Sequence, residues 1–178
     1  MALIVQDNTG AVAGANAYIS VEEFKTYHTD RGPRRWRGNS FAGYTDPQIE
    51  AAVIRATDYL DQRFNFVGKK RLGRDQTTEW PRTDAWDRDR YYINDIPPEV
   101  KEACCEYALR ALAAELNPDP ERNASGVAVL SKSEAVGPIS ESVTFVGGAV
   151  FQMPKYPAAD QKLVRAGLVR SGGTLLRG

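Results

Sequence analysis

The residues with the clearest chemical potential in this 178-residue sequence are arginines and lysines that lie beside aromatic side chains. One group surrounds Trp36, and a second follows Phe64 and Phe66. Basic groups neutralise phosphates and aromatic rings stack on bases, which is how sequence-tolerant proteins bind single strands. The pattern equally fits solvated loop faces or ion pairs with the aspartate-rich loop of a neighbouring copy. The candidate DNA-facing residues are Arg34, Arg35, Arg37, Lys69, Lys70 and Arg71.

The residues available for catalysis or metal binding are few. His28 is the one histidine, so a histidine relay or a histidine-rich metal site has little to draw on. A calcium loop starting at Asp87 would place Tyr92 where glycine is needed and Pro98 where a bidentate glutamate is needed. The glycines also lack the spacing of a phosphate-binding loop. We therefore expect no enzymatic activity, no metal and no cofactor.

An unusual Trp80-Pro81 pair lies among polar residues. A tryptophan held by proline in such a setting is a plausible anchor at a protein interface. The alternative is that Trp80 covers the core of its own chain beneath a long loop. The sequence leaves both interpretations open.

The charge balance limits how the chain can meet nucleic acid. Lysine and arginine total 23, aspartate and glutamate total 23, and the sequence pI is about 6.6. No global positive field draws the chain to DNA, so any such contact must come from local patches. At this length we expect one compact domain with extensions.

Residues 1–7 lack the features of a signal peptide, and no apolar run reaches membrane-spanning length. Cys104 and Cys105 are adjacent in a predicted helix, where their side chains diverge, so we interpret both as reduced core residues. These features favour synthesis in a reducing cytoplasm and no membrane partner.

Short-range signals predict three main helices. Ser20 and Glu23 form a capping box for residues 21–30, and Asp46 with Pro47 opens a helix over 47–64. A third helix begins after Pro97-Pro98 and stops at Asn117-Pro118. The two longer helices have apolar faces that should pack together: Ile49, Val53, Ala56, Leu60 and Phe64 on one, and Val100, Cys104, Tyr107, Ala108, Ala111 and Leu112 on the other.

The remaining segments predict a mainly α protein built as a small helical bundle with three additions. Residues 68–96 read as a long irregular loop. Residues 126–130 and 139–145, around Gly137-Pro138, predict a short β-hairpin or extended arm. We therefore expect a helical core domain over residues 1–120, which includes an extended N-terminal segment, and an arm with a docking tail over 121–178.

The C-terminal tail alternates apolar and basic residues, and a short helix is possible over 157–170. An apolar segment that follows the compact part of a chain is typical of a docking arm. Its candidate docking residues are Phe151, Met153, Tyr156, Leu163, Leu168, Leu175 and Leu176.

Read in order, several phrases resemble a family of phage proteins known as DnaT-like single-strand-binding proteins, which are similar to the head-to-tail connector subunits of long-tailed phages. The phrases span nearly the whole chain: Gly14-Ala15-Asn16-Ala17-Tyr18, Ala56-Thr57-Asp58-Tyr59-Leu60-Asp61, Gln76 with Trp80-Pro81-Arg82, Ile96-Pro97, and Lys132-Ser133-Glu134 with Val136-Gly137-Pro138.

This resemblance implies a structural adaptor subunit in the virion neck, assembled in the host cytoplasm. It implies a closed ring of about twelve copies beneath the portal protein, with neighbour contacts that close by rotation. The C-terminal arm would dock on the portal, and the next connector or tail-terminator protein would bind below. The double-stranded genome would pass through the lumen. Trp80, Arg82 and Trp86 are the candidates for subunit contact. The alternative function is single-stranded-DNA binding in replication, for which the chain's neutral charge is unusual.

Overall fold

The computed structural model describes residues 2–32, 41–118, 131–136, 139–144 and 155–170. The chain divides into two compact units. The first contains Met1–Leu116 and Lys155–Leu175, and the second contains Asn117–Pro154 and Leu176–Gly178. The predicted division after residue 120 is close to the first of these boundaries. It was wrong for residues 155–175, because that segment returns to the helical unit.

Within the described ranges, the first unit contains four α-helices: α1 (Val21–Asp30), α2 (Asp46–Arg63), α3 (Pro98–Ala113) and α4 (Pro157–Arg165). The predicted class, a small mainly α protein, is confirmed. Helices α2 and α3 pack against each other, α4 packs on α3, and α1 contacts both α2 and α3.

The helix starts follow from local capping. The Ser20 hydroxyl accepts a hydrogen bond from the Glu23 backbone N–H at 3.1 Å, and Glu23 accepts from the Ser20 N–H at 2.8 Å, as the capping box predicts. Helix α2 begins one residue earlier than predicted, with Thr45 as its N-cap. The carboxylate of Asp46, which was expected to cap α2, instead pairs with Lys25 Nζ at 2.5 Å and so links α2 to α1.

The core lies between α2 and α3. The predicted faces are buried except for Phe64 and Leu112, which are half-buried. Each fully buried large apolar side chain contributes about 1.5–3 kcal/mol relative to exposure. Cys104 and Cys105 are both buried, and burial raises the pKa of the Cys104 thiol to about 12. Both cysteines therefore pack as small core residues and remain protonated at neutral pH.

Strands are short. In the first unit, β1 (Lys69–Lys70) pairs antiparallel with β2 (Arg82–Thr83), with Lys69 opposite Thr83. In the second unit, β3 (Ser131–Val136) pairs antiparallel with β4 (Ile139–Thr144), with Val136 opposite Ile139. This hairpin turns at the predicted place, but its first strand is 131–136, whereas residues 126–130 lie outside the described ranges.

No helix in the described part of the chain combines the length and the apolar character needed to cross a bilayer.

Candidate interaction surface

Trp80 roots the long loop between α2 and α3 in the core. Its side chain is fully buried, and its ring meets Phe66 edge to face at 5.7 Å. The Trp80 backbone N–H donates to the Tyr18 hydroxyl at 3.0 Å, and that hydroxyl donates to Asp61 Oδ1 at 2.6 Å. Of the two interpretations of Trp80, the structure supports a core residue. Its prediction as a subunit contact was wrong, because no face of the ring is left to a neighbour.

Asp61 completes this attachment from helix α2. Its Oδ2 accepts a hydrogen bond from the Glu79 N–H at 3.0 Å, so one carboxylate fixes both Tyr18 and the middle of the loop. Burial is the main cause that raises the pKa of Asp61 to about 7, against the lowering effect of these hydrogen bonds.

The Arg82 guanidinium also makes its contacts within the chain. Its Nε donates to the Val67 carbonyl at 2.7 Å, its Nη2 donates to the Gly68 carbonyl at 3.1 Å, and its Nη1 lies 2.5 Å from Glu79 Oε2. The side chain is 8% exposed. The prediction of Arg82 as a subunit contact was therefore wrong, since its guanidinium is used to hold two segments of the loop together, at residues 67–68 and at residues 79–82.

Residues 85–93, which we call the aromatic loop, form a small turn with internal pairing. Asp87 Oδ1 accepts from the backbone N–H groups of Asp89 and Tyr91 at 2.9 and 2.8 Å. The Ile93 N–H donates to the Ala85 carbonyl at 3.0 Å, and Trp86 bridges to Tyr92. The loop is thus held by its own hydrogen bonds, although the sequence predicted an irregular connection.

This turn presents large aromatic rings to solvent. Trp86 is 53% exposed, Tyr91 72% and Tyr92 45%. Trp86 and Tyr92 meet edge to face, with ring centroids 4.9 Å apart. A cluster of exposed rings on a fixed turn is typical of an interaction surface. Trp86 is exposed, and its role as a subunit contact stays a prediction. The two tyrosines were not assigned this role from the sequence, although consecutive aromatic residues between charged ones were a usable signal.

A groove of about 440 Å³ lies between the aromatic loop, the start of α3 and the end of α4. Apolar groups line it, among them Tyr91, Ile96 and Pro97. Its charged lining residues are Asp87, Asp89, Asp95 and Glu99, with Arg88 and Arg165. The acidic residues outnumber the basic ones, so the groove favours a positively charged ligand.

The aromatic loop is fastened to the end of α4. The Arg88 N–H donates to the Ala166 carbonyl at 2.9 Å. Gly167 has a φ of +72°, and a Cβ there would lie 2.8 Å from the Arg88 nitrogen. Only glycine suits both the backbone conformation and this close approach.

The structure describes three of the six candidate DNA-facing residues, namely Lys69, Lys70 and Arg71. Lys70 Nζ pairs with Glu79 Oε1 at 3.0 Å, and Arg71 donates to the carbonyls of Asn8 and Asn94. Lys69 is well exposed, with Asp84 3.7 Å away. Arg34, Arg35 and Arg37 lie outside the described residues. The described members of the set thus support the fold of the loop more than they present charge to a phosphate backbone.

The candidate docking residues of the tail divide into two groups. Leu163 and Leu168 are fully buried in the first unit, and Tyr156 is half-buried with its hydroxyl donating to the Leu116 carbonyl at 3.1 Å. The prediction of Leu163 and Leu168 as docking groups was wrong, because α4 is part of the core. The other four, Phe151, Met153, Leu175 and Leu176, lie outside the described residues.

An ionic clamp holds α4 in place. Arg63 Nη2 of α2 lies 2.8 Å from Asp160 Oδ2 of α4, and the Tyr107 hydroxyl of α3 donates to Asp160 Oδ1. Burial is the main cause that raises the pKa of Tyr107, and this hydrogen bond raises it further. Asp160 therefore joins three helices, and no local sequence pattern predicts this contact.

His28 is buried in α1, with its Nε2 3.0 Å from the Cys105 carbonyl oxygen and its ring 4.6 Å from that of Phe24. In the described ranges, no group of three or more histidine, cysteine, aspartate or glutamate side chains is arranged to hold a metal.

Comparison with known proteins gives one family. A family model described as "Putative DnaT-like ssDNA binding protein" matches residues 1–177. No curated protein and no solved structure matches the chain.

Proposed function

We propose that this chain, which belongs to the family described as putative DnaT-like ssDNA binding proteins, is a non-enzymatic structural subunit that works by contacting other protein subunits. Following the resemblance of its sequence to head-to-tail connectors, its place is the neck of a tailed bacteriophage, in a ring beneath the portal. There it joins the head to the next connector or tail-terminator protein and lets the double-stranded genome pass.

The observation that carries this proposal is the aromatic loop. Trp86, Tyr91 and Tyr92 are exposed on a turn fixed by its own hydrogen bonds, beside a groove whose acidic residues outnumber its basic ones. Rigid aromatic groups dominate the binding energy of protein interfaces and lose little conformational entropy on binding. The carboxylates at the groove oppose a phosphate backbone but not a protein partner.

The test is co-purification with the cognate portal, followed by negative-stain electron microscopy. The wild-type chain should add a ring to the portal, and a Trp86→Ala/Tyr91→Ala variant should lose it. Tyr44→Ala is the matched control, because Tyr44 is also an exposed aromatic residue but lies outside the loop. Absence of any wild-type ring on the portal would refute the connector proposal.

Removal of the whole C-terminal region is not a suitable test of portal docking. A chain that ends before α4 would lose Leu163 and Leu168 from the core, so a failure to bind would reflect misfolding. Substitution of Leu175 and Leu176 by serine tests the remaining tail residues without removing α4. Loss of the portal-bound ring in this variant, with normal thermal stability, is the expected result if the tail docks.

The second candidate is single-stranded-DNA binding, the function in the family's description. The observation that favours it is that Arg88 and Arg90 lie between Trp86 and Tyr91 in the exposed loop. Stacking of one base on an aromatic ring stabilises a complex by about 1–3 kcal/mol. Opposing it, Asp87 and Asp89 occupy the same turn.

Fluorescence anisotropy with labelled oligothymidine tests this candidate. A DNA-binding loop predicts an affinity that falls steeply with added salt and a weaker salt dependence in Arg88→Ala/Arg90→Ala. It also predicts at least about a fivefold loss of affinity in Trp86→Ala, the lower end of a stacking contribution. No measurable affinity for the strand in dilute buffer would exclude this function for the loop.

A further inference from the structure

The groove beside the aromatic loop has the features of a site for a short peptide segment. Its volume of about 440 Å³ lies within the range of ligand clefts. Tyr91, Ile96 and Pro97 supply apolar walls, and Leu168 lines it from beyond the end of α4. These groups accommodate a large apolar or aromatic side chain.

The edge of this groove selects the charge of the segment. Asp89 and Asp95 are exposed, and Glu99 is half-buried at the start of α3. Arg165 is the lining cation contributed by α4, and Arg88 that of the loop. The acidic residues on the aromatic loop and on α3 therefore favour arginine or lysine in the occupant.

The same chain carries a segment of matching chemistry. Residues 34–37, which we call the basic tract, read Arg-Arg-Trp-Arg, and no aspartate or glutamate occurs between residues 31 and 45. The tract thus offers an aromatic ring for the apolar walls and arginines for the carboxylates on either side. Arginine and tryptophan are the residue types most enriched in interface hot spots.

We infer that the groove binds the basic tract of a second copy of this chain. The groove and the basic tract consist of different residues, so each copy has one of each to offer to its neighbours, and such a head-to-tail contact closes into a ring or extends as a filament. The inference rests on the proposed structural function and gives its assembly a specific subunit contact. Single-stranded DNA is the less favoured occupant, because phosphates would meet Asp89, Asp95 and Glu99.

A charge-reversal experiment on the full chain tests this contact. One variant carries Arg34→Glu, Arg35→Glu and Arg37→Glu, and a second carries Asp89→Arg and Asp95→Arg. The control carries Asp30→Arg and Glu115→Arg, which reverse exposed charges outside both surfaces. Sedimentation equilibrium, measured up to the solubility limit at low and high salt, gives the association constant of each.

The wild type and the control should associate, more weakly at high salt. Each reversed variant alone should associate at least about tenfold more weakly, because like charges then meet across the contact. An equal mixture of the two reversed variants should recover association, since the acidic tract of one fits the basic groove of the other. Recovery in the mixture also shows that both variants are folded.

Four results would overturn the inference, and the last of them spares the connector function. The first is a wild type that stays monomeric up to the solubility limit, and the second is a mixture that stays as monomeric as its components. The third is that the Asp89→Arg/Asp95→Arg variant binds oligothymidine more tightly than the wild type but self-associates as the wild type does. That result would make the groove a nucleic-acid site. If both reversed variants still form rings on the portal as the wild type does, the groove contact fails while the connector function stands.

Discussion

Leu163 offers the sharpest test of whether α4 belongs to the core or to a docking arm. The side chain is fully buried in the first unit, on a helix that Asp160 ties to Arg63. Leu163→Ala removes buried methyl groups and leaves a cavity, which costs about 3 kcal/mol in well-packed cores. With a urea dependence of about 2 kcal/mol per molar, the unfolding midpoint should fall by about 1.5 M.

The assay is urea unfolding of the isolated chain, followed by circular dichroism and tryptophan fluorescence. The matched control is Val164→Ala on the same helix, where the side chain is 59% exposed, and its effect should stay within about 0.5 kcal/mol. A docking arm that is free before assembly would make both substitutions equally harmless. Equal midpoints for Leu163→Ala and Val164→Ala would therefore refute the placement of α4 in the core.

Three further predictions concern the loop and its anchors. Burial raises the pKa of Asp61 from 3.8 to about 7, so between these pH values the folded state keeps a proton that the unfolded state releases. The stabilising contribution of this group is therefore lost as the pH rises from about 4 to 7. Asp61→Asn should flatten that part of the pH dependence of the unfolding free energy, measured by urea titration. Gly167→Ala should cost about 1–2 kcal/mol and speed hydrogen exchange at the Arg88 amide, which a Cβ would crowd; an unchanged exchange rate there would contradict the close approach. Trp80→Ala should destabilise by about 3–5 kcal/mol, whereas Trp86→Ala should change thermal stability by less than about 0.5 kcal/mol; similar melting shifts for the two would contradict their different burial.

The helices were predictable because their signals are local. A capping box needs residues three apart, and a buried face repeats every three or four residues, so Ser20, Glu23 and the apolar face of α2 could be read directly. The same reasoning placed the start of α3 just after Pro97-Pro98, and the helix begins at Pro98. These signals can be recognised without knowledge of distant contacts, which is why the fold class could be predicted.

The place of α4 could not be predicted from local pattern. An amphipathic helix with Leu163 on its apolar side is equally suited to a partner protein and to the chain's own core. The choice depends on Arg63 and Tyr107, which reach Asp160 from helices far away in sequence. The sequence analysis separated this segment from the helical core because the residues between Leu116 and Lys155, which belong to the other unit, interrupt the first unit along the chain.

The basic residues show why a count of charges does not locate a charged surface. Arg71 and Arg82 share one use: each donates to backbone carbonyls that belong to segments distant in sequence, at Asn8 and Asn94 for the first and at Val67 and Gly68 for the second. A long loop with little regular pairing leaves carbonyl groups that need donors, and a guanidinium with five N–H groups can satisfy several at once. Arginine in such a loop therefore acts first as a tie between backbone segments. Exposed aromatic rings satisfy no backbone carbonyl groups, so they are the better guide to where this chain meets its partner.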